Sequence, residues 1–135
     1  MIFKAPPERK VPPPFSWAWR QLPAVTLQRW HFTVSEVSAP GNCPPDTAFF
    51  DADKLPDVLE ITPPRPGDRM IPFGGETAVK IKKLRIDRHI TSDHPLPVMR
   101  TGEGICWAPM IRHSAMAAVT DRTCRIVKFE FKELD

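Results

Sequence analysis

Hydrophobic and polar residues alternate in several short segments of this 135-residue chain. The alternation is clearest at residues 30–35 and 127–132, where each aromatic or aliphatic residue is followed by a polar one. A period of two residues predicts β-strands that bury one face. Shorter apolar runs predict further strands at residues 48–51, 58–62, 98–100, 105–107 and 117–120, with a hairpin turn at 101–104. The pattern favours an α+β fold: a small, mainly antiparallel curled β-sheet or partial barrel with one or two short helices.

One segment departs from this period and predicts a short helix. Thr77 is a candidate N-cap, and the helix is expected to continue to about Arg88. Ile81 and Leu84 are three residues apart, which places both on one face of a helix. That face would pack against the core, and the charged residues between them would face solvent.

Proline indicates where the domain begins. Five of the 17 prolines lie within the first 14 residues, a composition typical of an extended polyproline II segment. We therefore expect a Pro-rich leader at residues 1–14 and a single domain at residues 15–135.

The sequence lacks the patterns of disulfide-rich, zinc-binding and membrane proteins. Its three cysteines and four histidines do not follow the spacing of a zinc site, so no metal site is expected. No apolar run approaches the roughly 20 residues that span a membrane, and the first residues lack the apolar core of a signal peptide. These features predict a cytoplasmic protein with reduced thiols and no membrane partner.

Positive charge is concentrated in one part of the chain. The formal net charge is +3, yet residues 65–88 alone hold seven Lys and Arg against three Asp and Glu. Such side chains neutralise phosphates without reading a base sequence, so the cluster indicates a surface for a polyanion. An ordinary solvated face is the alternative interpretation.

A turn rich in glycine and proline precedes most of this charge. Gly67, Pro72 and Gly74 are expected to shape it, because glycine permits a left-handed backbone and proline fixes φ. Asp68 is expected to brace the turn and to orient Arg69. The planar guanidinium of Arg69 would then donate a fork of hydrogen bonds to a phosphate.

An ordered set of short motifs runs through the last two thirds of the chain. The set comprises residues 50–55, Gly67-Asp68-Arg69, Lys82-Lys83, Ile86-Asp87-Arg88, residues 104–109, Arg112 and Val119-Thr120. In this order and at these spacings, the chain resembles the C-terminal domain of tRNA(Ile)-lysidine synthetase, most strongly over residues 48–131.

The resemblance implies a role in tRNA processing and modification. It implies a domain that grips tRNA(Ile) at the acceptor stem, while a separate ATP-dependent ligase domain converts the wobble cytidine to lysidine. No catalytic residue is carried over to this chain. The residues that the resemblance carries over as RNA contacts, together with the neighbouring cations of the basic run, are Arg69, Lys80, Lys82, Lys83, Arg85, Arg88 and Arg112.

The ATP-binding part of the family pattern does not occur in this sequence. Family members cradle phosphate in a Ser-Gly-Gly-x-Asp-Ser loop, whereas the only Gly-Gly pair here, at residues 74–75, precedes Glu76 and Thr77. We therefore expect no catalysis and no cofactor on this chain alone. ATP and Mg²⁺ are implied for the missing catalytic domain, on a separate PP-loop ATPase chain or on a longer form of this one.

Three features depart from the family pattern. Residues 91–97 form a shorter segment than usual, which removes an expected RNA contact. Met110 stands where the family usually has a glycine before the arginine of the motif, and Arg85 replaces what is usually an apolar helix residue.

Two other interpretations stay open at this point. The chain is alternatively a protein-interaction module that docks through its Pro-rich leader, Trp17 and Trp19, or a non-functional gene fragment. Trp17 and Trp19 are also suited to the core. Trp107, on a predicted hairpin arm, suits either the core or stacking on a base.

Overall fold

The fold was analysed in a computed structural model of the protein, which describes residues 12–91 and 93–134. Residues 1–11 of the predicted leader lie outside this part, and Pro12 is buried. The described residues form a 3-10 turn at Ala52–Lys54, one α-helix and eleven strands. The elements in chain order are β1 (Phe15–Trp17), β2 (Ala24–Leu27), β3 (Trp30–Val37), β4 (Thr47–Asp51), β5 (Leu59–Thr62), β6 (Arg69–Met70), β7 (Val79–Lys80), α1 (Ile81–Asp87), β8 (Val98–Thr101), β9 (Gly104–Ala108), β10 (Arg112–His113) and β11 (Ile126–Glu133).

The strands form three antiparallel sheets, which confirms the predicted α+β, mainly antiparallel fold class. A five-stranded sheet has the order β1-β5-β8-β9-β10, and a four-stranded sheet has the order β2-β3-β11-β4. Strands β6 and β7 pair separately. The two larger sheets are open at their edges, consistent with a curled sheet.

Aromatic side chains from the two larger sheets meet in one core. Trp17 of β1 contacts Phe32 of β3 and Phe129 of β11, with ring centroids 5.9 and 5.5 Å apart. Trp107 of β9 contacts Phe32 at 6.2 Å. Edge-on and tilted aromatic pairs at these distances add to the free energy gained by apolar burial.

The strands predicted from alternation are present at β3 and β11, and the hairpin at residues 98–107 is formed by β8 and β9. The strand predicted at residues 117–120 is wrong. Ala117 has a φ of 52°, which interrupts an extended chain, and its carbonyl accepts a hydrogen bond from the Asp51 amide. The sheet continues instead through β10, which pairs with β9.

The predicted start of the helix is also wrong. Val79 lies opposite Met70, and Lys80 lies opposite Arg69, so these residues extend as β7 instead of forming a first helical turn. The helix begins at Ile81, after Lys80 as N-cap, and Thr77 does not cap it. The predicted end is close to the observed one, since Asp87 is the last helical residue.

The proposed docking role of the N-terminal tryptophans is wrong, because Trp17 and Trp19 are buried. Their indole N–H groups donate to the carbonyls of Leu22 and Pro56. Trp107 is only 1% exposed, so it packs in the core and offers no face to a base. Among the described residues, no helix is long and apolar enough to cross a membrane.

Candidate nucleic-acid interface

The turn that precedes the basic segment is fixed by the carboxylate of Asp68. This carboxylate accepts a hydrogen bond from the Arg65 amide at 2.6 Å and faces the guanidinium of Arg100 with both oxygens. Arg100 Nη1 donates to Asp68 Oδ1 at 2.9 Å, and Arg100 Nε donates to Thr62 Oγ1 at 2.7 Å. The fork therefore ties the turn to the five-stranded sheet.

The prediction that Asp68 orients Arg69 is wrong, because the partner of Asp68 is Arg100. Arg100 reaches the turn because β8 pairs with β5, a long-range register that local sequence does not reveal. Burial raises the pKa of the Asp68 carboxyl, but the hydrogen bonds and positive charge from Arg100 and Arg65 outweigh it. The pKa of Asp68 therefore lies below its ordinary value.

Glycine shapes the backbone on both sides of this fixed point. Gly67 and Gly74 each have a φ of 83°, a left-handed conformation that favours glycine. Pro72 is buried and forms an isolated bridge with Ser114. The turn residues predicted from the sequence therefore lie in two consecutive bends, one before β6 and one between β6 and β7.

The same turn positions the start of the helix. The Asp68 carbonyl accepts a hydrogen bond from the Ile81 amide at 2.9 Å. Arg69 and Lys80 are direct partners in the ladder of β6 and β7, so their side chains lie on the same side of it. The hydrogen bond between Asp68 and Ile81 thus closes the β6–β7 loop at the point where the helix begins.

Four exposed cations follow from this arrangement. On α1, Ile81 and Leu84 face the core, which leaves Lys82 and Lys83 on the solvent side. No salt bridge joins any of the four to a carboxylate in the part of the chain that the structure describes. We call this set the basic strip; it consists of Arg69, Lys80, Lys82 and Lys83.

The prediction that Arg85 contacts a phosphate is wrong. Its side chain is buried, and its guanidinium donates to the carbonyls of Thr91 and His94, each at 2.6 Å. Burial lowers the pKa of Arg85, and the charge of Asp93 partly opposes that effect. Arg85 therefore anchors the segment after the helix and is not available to a phosphate.

Arg88 and Arg112 lie apart from the basic strip, at a cleft of about 490 Å³. Arg88 Nε donates to the Ile111 carbonyl at 3.1 Å, which fixes the guanidinium next to the 109–111 turn. Arg112 is exposed in β10. Met110, in the 109–111 turn, has a φ of 67°. This is a left-handed conformation, at the position where the resemblance indicates a glycine.

Most of the cleft wall is apolar or aromatic. The wall residues include Phe49, Phe73 and Trp107, with three prolines between residues 40 and 45. No Asp or Glu belongs to the wall among the described residues. The charged members of the wall are therefore cationic, and the cleft suits an anionic ligand with an apolar body.

The cleft also contains a tightly held histidine and an exposed phenylalanine. His113 Nδ1 lies 2.7 Å from the Ser114 carbonyl oxygen, and Nε2 lies 3.0 Å from that of Phe49. Phe73 is 58% exposed, meets His113 edge-on at 5.6 Å, and donates its amide to the His113 carbonyl at 2.8 Å. Sequence reasoning missed Phe73, although it stands inside the Gly/Pro-rich segment.

Two cysteines of the described region, Cys43 and Cys106, are not suited to nucleophilic chemistry. Burial raises the pKa of Cys43, and the nearby charge of Asp46 raises it further. Burial raises the pKa of Cys106 to about 12, as expected of a thiol in an apolar strand. Within residues 12–91 and 93–134, no three His, Cys, Asp or Glu side chains are grouped as metal ligands.

The Gly-Gly pair does not form a phosphate-binding loop. The Gly75 amide donates to the Pro72 carbonyl at 2.8 Å, so it is not free to bind an anion. A two-residue strand, β7, then separates this turn from the helix. A phosphate loop requires free amides between a strand and a helix N-terminus, so these residues do not fit the triphosphate of ATP.

Three known proteins with similar sequences are tRNA(Ile)-lysidine synthases. The Symbiobacterium thermophilum protein is 32% identical over 90 residues, covering 65% of this chain and 19% of that protein. The Persephonella marina protein is 36% identical over 72 residues, covering 52% and 16%. The Geobacter sulfurreducens protein is 29% identical over 91 residues, covering 64% and 19%. The chain thus spans about a fifth of the length of the curated relatives it matches.

A solved structure of the TILS C-terminal domain has the same fold. It superposes with a TM-score of 0.71 at 21% sequence identity, covering 90% of this chain and 98% of that one. No protein-family model matches the chain. The chain is therefore similar in sequence to the tRNA(Ile)-lysidine synthases and has the fold of the TILS C-terminal domain.

Proposed function

We propose that this chain is a tRNA-binding domain that grips tRNA(Ile) at the acceptor stem. The observation that carries the proposal is the basic strip: four exposed cations without a carboxylate partner among the described residues, on a fold shared with the TILS C-terminal domain. Arg69 offers a planar fork to a phosphate, whereas the three lysines act as point charges. Contacts of this kind position a nucleic acid and carry little sequence information.

In this proposal the covalent chemistry belongs to a separate ATP-dependent domain or chain. That unit would bind ATP and Mg²⁺ and convert the wobble cytidine to lysidine. This chain would supply affinity and hold the tRNA in register. The closed Gly-Gly turn supports this division of roles.

The test is a filter-binding titration against tRNA(Ile) and an unrelated tRNA at two salt concentrations. The double variant Lys82→Glu/Lys83→Glu should lose most of the affinity, because two attractive contacts become repulsive. The log–log slope of affinity against salt should also fall by about 0.7–0.9 for each phosphate contact removed.

A matched control reverses two lysines elsewhere. Lys128→Glu/Lys132→Glu changes the net charge equally but acts on β11 of the four-stranded sheet, whereas the basic strip belongs to β6, β7 and α1. It should retain more affinity than the strip variant if location matters. Equal losses would reduce the effect to net charge, and unchanged binding of the strip variant would refute the proposed interface. Circular dichroism verifies that both variants are folded.

A further inference from the structure

The cleft beside Arg88 and Arg112 has the properties of a nucleotide site. Its volume of about 490 Å³ lies within the roughly 300–1,000 Å³ typical of ligand pockets. Arg88 uses only Nε for the Ile111 carbonyl, and its terminal NH₂ groups have no hydrogen bond to a described residue. Arg112 is exposed and likewise lacks a side-chain partner within the described ranges. Two guanidinium groups are thus available at one apolar cavity.

Phe73 supplies the second half of such a site. Its backbone is fixed by the hydrogen bond to the His113 carbonyl and by the adjacent bridge between Pro72 and Ser114. Its ring is nevertheless largely exposed at the cleft. Next to cationic groups, the aromatic face suits a nucleobase.

The position of the cleft relative to the basic strip supports one kind of ligand. Lys82 and Lys83 lie in the first turn of α1, and Arg88 follows its last residue. At 1.5 Å per residue, the backbone rises about 8–9 Å along the helix from these lysines to Arg88. A nucleic acid whose backbone crosses the strip would therefore have an adjoining nucleotide within reach of the cleft.

We propose that the cleft takes one unpaired nucleotide of the bound RNA. Its base would lie against Phe73, and its phosphate would lie between Arg88 and Arg112. A base within a duplex is stacked and paired, so only an unpaired nucleotide can present its face to Phe73. This inference rests on the proposed RNA-binding function and adds a single-stranded component to it.

The experiment compares a blunt RNA hairpin with the same hairpin carrying a four-nucleotide 3′ overhang, measured by fluorescence anisotropy with the full chain. The wild type should bind the overhang form about 5- to 150-fold more tightly, the range expected for stacking of one base. Phe73→Ala should remove that gain and leave binding of the blunt hairpin unchanged. Arg112→Gln should weaken binding of the overhang form and lower its salt slope by about 0.7.

Control variants separate stacking from loss of structure. Phe73→Leu keeps apolar bulk but removes the aromatic face, so it should behave like Phe73→Ala. Val58→Ala truncates another exposed apolar side chain, outside the cleft, and should retain the full gain.

The outcomes distinguish this proposal from the function on which it rests. Equal wild-type affinity for the two hairpins would overturn the nucleotide site while leaving the basic strip as an RNA contact. Persistence of the overhang gain in both Phe73 variants would also overturn it. Binding of neither hairpin, nor of tRNA, would overturn the proposed function itself.

Discussion

The negative charge of Asp68 stabilises the turn that precedes the basic strip. Its carboxylate contacts the Arg100 guanidinium with both oxygens and accepts a hydrogen bond from the Arg65 amide with one. Replacing it with asparagine keeps the shape of the side chain but removes the charge. We expect Asp68→Asn to lower the free energy of unfolding at pH 7 by about 1.5–3 kcal/mol, the range for hydrogen bonds to charged groups. Urea denaturation measures this change. The control Asp57→Asn breaks an exposed pair with Arg20 and should have little effect.

The loss caused by Asp68→Asn should depend on pH. The folded protein keeps the pKa of Asp68 below its ordinary value, so the unfolded chain takes up the proton first as the pH falls. The stabilising contribution is complete above the unfolded pKa of about 3.9 and declines as the pH falls through the folded pKa. The difference in Tm between wild type and Asp68→Asn should therefore shrink below about pH 4. A difference that stays constant down to pH 2 would mean that charge is not its cause.

At the element scale, the C-terminus of α1 fixes the direction in which the chain continues after the helix. His89 follows the C-cap Arg88 with a φ of 58°, and its amide donates to the Ile86 carbonyl. The Ile90 amide donates to the Arg85 carbonyl, which completes a Schellman motif. Glycine adopts this left-handed backbone without a Cβ clash, so His89→Gly should raise the free energy of unfolding by roughly 0.5–1 kcal/mol. Chemical denaturation measures the change.

The control for the helix end is His89→Ala. It removes the imidazole as His89→Gly does but retains Cβ, so it should be less stable than the glycine variant. If the two variants unfold at the same denaturant concentration, the benefit comes from loss of the imidazole and not from backbone relief.

Elements with local patterns were predictable, and elements made by long-range pairing were not. Alternation identified β3 and β11 because each has one polar face. The two-residue strands β6 and β7 are too short to produce a pattern, so the helix was predicted to start too early. The resemblance pointed to a glycine position at Met110, and the structure shows why: the backbone there is left-handed.

At the scale of the whole molecule, the basic strip was predictable from the sequence and the cleft was not. Three members of the strip lie within four residues of sequence, so a charge count finds them. The cleft is assembled from separate segments near residues 40–49, 73, 88, 107–113 and 119, and only tertiary packing brings them together. The same holds for Arg85, whose charge suggested solvent although backbone carbonyls hold it in the interior.

The whole molecule depends on the aromatic contacts that join its two larger sheets. Phe129 lies on β11, the strand that pairs with both β3 and β4, and its ring contacts Trp17, Trp19 and Phe50. Phe129→Ala should lower the free energy of unfolding by about 3–5 kcal/mol, because it removes buried area and leaves a cavity between the sheets. Domains of this size have a total stability of roughly 5–15 kcal/mol, so the variant should unfold at a much lower temperature.

The neighbouring residue on the same strand provides the comparison for Phe129→Ala. Glu130 is exposed, so Glu130→Ala should change the free energy of unfolding by no more than about 0.5 kcal/mol. Thermal unfolding followed by circular dichroism and by tryptophan fluorescence compares the two variants. Trp17 and Trp107 lie in the five-stranded sheet and Trp30 lies in the four-stranded one, so fluorescence reports on both sheets. If the sheets unfold together, both probes should report a single lowered transition for Phe129→Ala. Two separate transitions in the wild type would show that the sheets unfold independently, and the contacts at Phe129 would then not couple them.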